Sequence, residues 1–79
     1  MLCRPDSLPT ATRVAVLAAV CDDGWGEVEV RGWFPPRDVG DPIEVLLLVR
    51  APGSTRWVPV RVTVSSGVRP EVIATAQGW

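Results

Sequence analysis

The segment Ile43–Arg50, IEVLLLVR, constrains this chain more than any other. At the two-residue period of a strand, Ile43, Val45, Leu47 and Val49 share one face, and Glu44, Leu46, Leu48 and Arg50 the other. The first face is a core face. The second carries two leucines that also need cover, so this strand has to be shielded on both sides. With 79 residues in all, the chain has little else to cover it with. We therefore expect one small domain over residues 1–79, with only a few kcal/mol of net stability, about 3–5 for a core of this size.

The flanking segments supply the rest of a sheet. Glu27-Val28-Glu29-Val30-Arg31 alternates, then Gly32 interrupts and Trp33-Phe34 runs into Pro35-Pro36. Residues 35–42, PPRDVGDP, read as a loop. Pro-Gly-Ser within Ala51–Thr55 is a tight hairpin connection. In Arg56–Ser65, Val58, Val60, Val62 and Val64 point inward, and Trp57, Pro59, Arg61 and Thr63 outward. Pro59 has no N–H for a ladder, which suggests an edge strand or a bulge. A short last strand is expected over Glu71–Ala76, followed by a tail ending in Trp79.

Residues 1–9 have no period and two prolines, and read as an irregular arm. Ala11 to Cys21 is rich in Ala and Val and reads as a helix, with Thr10 or Thr12 as its cap and Gly24 closing it at positive φ. Its inward face is expected to be Val14, Leu17, Ala18 and Cys21, flanked by Val16 and Val20. Trp25 is expected to plug the junction between helix and sheet. The fold expectation is α+β, one N-terminal helix packed on a four-stranded antiparallel meander. The alternative is an all-β five-stranded small barrel in which Ala11–Cys21 is a strand.

Composition excludes more chemistry than it suggests. There is no His and no Lys. That removes Ser-His and Cys-His nucleophile pairs, an imidazole base, Schiff-base chemistry and the phosphate-binding lysine of P-loops. Two cysteines, Cys3 and Cys21, are too few for a disulfide framework or a zinc site without His. They are expected to be free thiols in a reducing cytoplasm, with Cys21 packed as a small apolar residue. Asp22, Asp23, Glu27 and Glu29, and Asp38 with Asp41, match no calcium-loop spacing and read as turn residues and a solvated strand face. Gly24-Trp25-Gly26 precedes a strand, the wrong order for a phosphate-binding turn. No catalytic, metal or cofactor site is expected.

Arg4 and Arg13 before the apolar run Val14–Cys21 faintly resemble a secretion signal, but the run is short and Pro5, Asp6 and Pro9 interrupt its lead-in. No stretch approaches the ~20 apolar residues that span a bilayer, and no membrane partner is expected. Asn and Tyr are missing as well as His and Lys, while Arg occurs eight times. Those absent residues have AT-rich codons or codons with A at the second position. The source is therefore read as a GC-rich genome, an actinobacterium or one of its phages.

What remains is a binding function. Large aromatics and Arg are enriched in protein-binding patches. The candidate surface is the outer face of the sheet around Leu46, Leu48, Trp57 and Arg61, with Trp33 joining it, used to dock a protein partner or to form a homodimer. A nucleic-acid-binding domain using Arg and Trp is the alternative. It is the weaker one, because nine carboxylates are interleaved with the arginines and the net charge is −1.

Overall fold

In the computed structural model, residues 2–65 and 67–74 are described. A one-turn 3-10 helix, Pro5–Ser7, leads into helix α1, Thr10–Asp22, and then four strands follow: β1 Glu27–Phe34, β2 Ile43–Arg50, β3 Val58–Val64 and β4 Glu71–Ala74. The strands form one antiparallel sheet in the order β1-β2-β3-β4. It is an open sheet and not a closed barrel, and Ala11–Cys21 lies within a helix rather than a strand.

Helix α1 begins differently from the expectation. Pro9 occupies the N-cap position, and neither Thr10 nor Thr12 caps it through its side chain. Proline there needs no N–H, and its fixed φ leads the chain into the first turn. At the other end Gly24 has φ 95°, and the Trp25 N–H donates to the Val20 carbonyl across it. That left-handed closure is open to glycine at no steric cost.

The helix face is the main correction. Val16, Ala19 and Val20 are buried, whereas Val14 is 62% exposed, Leu17 39% exposed, and Ala18 and Cys21 face solvent. The expected inward face points outward, and the residues read as its flanks form the contact. From Val14 to Cys21 no residue is charged, so a rotation of the helix changes the pattern very little and periodicity cannot choose the face. Cys21 is therefore not a packed core residue. Both cysteines are free, Cys3 half-buried and Cys21 exposed. We expect a thiol-alkylating reagent to label native Cys21 at least about tenfold faster than Cys3. Equal rates, read by peptide mass, would contradict this placement.

The core is one cluster of Leu8, Val16, Val20, Val45, Leu47, Val49, Val60 and Val62. Register explains it: Val45 pairs with Val62, Leu47 with Val60 and Val49 with Val58. Helix α1 lies against β3 and β4, and the 3-10 turn lies against β1. A 13-residue helix is about 20 Å long and 10 Å wide, enough for two strands of the four. The N-terminal arm completes the cover, with Leu8 buried and the Trp33 indole donating to the Arg4 carbonyl at 3.0 Å and to Ser7 Oγ at 3.2 Å. Trp25 packs against the same cluster, as expected of a plug.

Strand β3 is internal rather than an edge, and its register with β2 is unbroken. Pro59 pairs with Leu48 within that register. The last strand ends at Ala74 among the described residues, and Thr75, Ala76 and Trp79 lie outside them. No helix among the described residues is long and apolar enough to cross a membrane.

Candidate interaction face

The face of the sheet opposite α1 is built from alternate residues of each strand. Across its centre run Gly32, Leu46, Arg61 and Ile73, paired in that order. One row towards the Pro-Gly-Ser hairpin lie Glu29, Leu48 and Pro59. One row the other way lie Phe34, Glu44, Thr63 and Glu71. Leu48, Pro59, Ile73 and Phe34 are each half-buried, the state of side chains that touch their sheet neighbours and still meet solvent.

Four of the five expected residues share this face. Leu48 and Arg61 are central, and Trp57 stands at the end of it, extending the Trp57-Pro59-Arg61-Thr63 alternation. The Arg50 guanidinium sits 4.8 Å from the Trp57 ring centroid and also pairs with the Glu27 carboxylate. This stack fixes Trp57 as a flat, partly exposed platform. Leu46 is on the face but already 7% exposed only, so it offers a partner little free surface.

Trp33 is on the other side. The β1–β2 register slips between Val30 and Gly32, so Arg31 is bulged out. Without the slip Trp33 would pair with Glu44 and point outward. With it Trp33 pairs with Val45 and packs on the core, and Phe34 takes the outward place beside Glu44. One extra residue reverses every side chain beyond it.

Arg61 is the electrostatic centre. Its Nε is shut off from solvent and has no hydrogen-bond partner among the described residues. Five other arginines have partners, Arg4 with Asp6, Arg31 with Glu29, Arg50 with Glu27, Arg69 with Asp22 and Arg13 with the Pro5 carbonyl, while Arg37 and Arg56 are exposed to water. In the register Glu44 and Glu71 lie diagonally on either side of Arg61, at Cβ separations of about 7–8 Å. Neither makes an ion pair with it.

The remaining acidic residues are in local structure. The Asp41 carboxylate accepts from the Asp38 N–H in the β1–β2 loop, and no cluster of metal-ligating side chains occurs among the described residues. An open groove beside that loop is lined by Phe34, Pro35, Pro36, Arg37, Asp41, Pro42 and Glu44, and it adjoins the acidic end of the outer face. Sequence reasoning missed a second exposed apolar surface, the Val14, Leu17, Ala18 and Cys21 stripe of α1. The lack of charge along that helix was its only sign. The chain matches no family model, curated protein or solved structure.

Proposed function

We propose that this chain is a non-catalytic protein-interaction module of a GC-rich bacterium or its phage, acting in the cytoplasm through the outer face of its sheet. The supporting observation is Arg61. A desolvated guanidinium nitrogen without an acceptor costs about 1–3 kcal/mol, and it sits among half-buried Leu48, Pro59 and Ile73 with the Arg50–Trp57 stack alongside. Arg61 as a whole is only half-buried, so a carboxylate brought by another protein would pair with its guanidinium charge while covering the apolar residues around it. Interface hot spots combine these features: a charge-assisted hydrogen bond, an aromatic platform and a dry surround. The four carboxylates Glu27, Glu29, Glu44 and Glu71 on the same face repel a phosphate backbone, which favours a protein over a nucleic acid.

The test is the size of the chain's assembly in an extract of the cells that make it. Wild type is expected to elute well above the 8.5 kDa of a single chain, and Leu48→Arg to elute as the free chain. Leu17→Arg, on the helix stripe, should leave the assembly intact. A wild-type chain that elutes at its own mass in the extract and also stays monomeric when purified and concentrated to about 1 mM, or an assembly that survives Leu48→Arg and is lost in Leu17→Arg, would overturn the assignment of this face.

A further inference from the structure

We propose that the partner seated on the outer face is a second copy of this chain, held by reciprocal Arg61–Glu44 pairs across a two-fold axis. This rests on the reading of the outer face as a docking surface and names its occupant. Three charges on the face have no partner of opposite sign among the described residues: Arg61, with its buried Nε, half-buried Glu44 on inner strand β2, and exposed Glu71 on β4. Of the two acids, Glu44 is the more desolvated and so gains the more from a partner. Arg61 and Glu44 are diagonal neighbours on adjacent strands, yet they form no ion pair with each other.

A face with an unpaired base and an unpaired acid side by side is complementary to itself. A two-fold axis that brings Arg61 to Glu44 of another copy also brings Glu44 to that copy's Arg61, so one operation satisfies both charges. Leu48 and Pro59, adjacent to Arg61, would then be covered by the same residues of the other copy. Sheets stack face to face in this way at about 10 Å with strands nearly aligned.

Area sets the strength. Four strands at ~4.8 Å spacing and seven residues at ~3.3 Å give a footprint of roughly 19 by 23 Å, on the order of 400 Å² per copy. That is below the ~800 Å² per partner of a standard stable interface. The expected dimer is therefore weak and concentration-dependent.

Sedimentation of the purified full chain decides it. Wild type should move from monomer to dimer as its concentration rises towards about 1 mM. Arg61→Glu and Glu44→Arg should each remain monomeric, because each places like charges at both contacts. An equimolar mixture of the two should dimerise, since each 61–44 contact then joins opposite charges. Circular dichroism of each variant, alone and mixed, checks that the chains are folded. A wild type monomeric at 1 mM overturns the proposal, as does dimerisation of either single variant as tight as wild type or a mixture of folded variants that stays monomeric. If purified wild type is monomeric while the assembly in the extract is lost in Leu48→Arg, the docking face stands and self-pairing falls.

Discussion

Leu47→Ala is expected to unfold most of this protein. Leu47 is fully buried at the middle of the central strand β2, between Val30 on β1 and Val60 on β3. Removing a buried leucine side chain costs about 2–5 kcal/mol, the upper values where the surroundings cannot collapse into the space. Here the neighbours are β-branched valines on paired strands, stiff at χ1 and held by backbone ladders, so they cannot follow inward. The loss matches the whole net stability expected of a core this small, about 3–5 kcal/mol. In urea the midpoint should fall by at least about 2 M, or the folded baseline should disappear, given a slope near 1 kcal/mol per M for a small domain. Val39→Ser is the control: Val39 is wholly exposed in the β1–β2 loop, and its change should stay within about 0.5 kcal/mol. A Leu47→Ala midpoint within about 0.5 M of wild type would mean that Leu47 is not in the core.

That Leu47 belongs there was legible in the sequence. Eight residues alternating about an all-apolar face admit one orientation, and Val58–Val64 repeats the pattern with a valine at every second position. Gly24 and the Pro-Gly-Ser hairpin marked the ends of their elements because few other residues turn the chain there. The helix was legible as an element and not as a face. Its uncharged Val14–Cys21 segment is apolar all round, and only packing against β3 and β4 selects Val16, Ala19 and Val20.

The site divides on the same line. Leu48, Trp57 and Arg61 follow from alternation alone, so their common face could be read directly. Trp33 could not be placed that way, because its side depends on whether Arg31 is counted as a rung of the ladder. Gly32 was the available signal, since an isolated glycine inside a strand marks a bulge or a close approach of another backbone. It marks both here. Leu46 is buried although it points outward, and nothing in its own strand announces that.

Gly32 therefore carries the second large effect. A Cβ built on it would lie 2.7 Å from Leu2 Cδ1, 2.9 Å from Leu2 Cγ and 3.1 Å from the Cys3 carbonyl oxygen. Leu2 is a flexible side chain and can swing away, but the Cys3 carbonyl is backbone and accepts the Trp33 N–H, while the Cys3 N–H donates back to the Trp33 carbonyl at 2.7 Å. Moving it breaks that reciprocal bridge between the arm and β1. Gly32→Val, with two further methyl groups, should expel the arm at a cost of about 1–3 kcal/mol, the usual range for overpacking. The Trp33 indole then loses the Arg4 carbonyl and Ser7 Oγ, so its fluorescence should shift to the red, and half-buried Cys3, freed from Trp33, should react with a thiol-alkylating reagent faster than in wild type. Because Gly32 pairs with Leu46 on the outer face, the arm that Gly32 admits borders the proposed interface. If dimers form there, Gly32→Val should alter their Kd even in protein that remains folded. A Gly32→Val chain with wild-type fluorescence and a wild-type rate of Cys3 alkylation would show that the arm does not lie against β1.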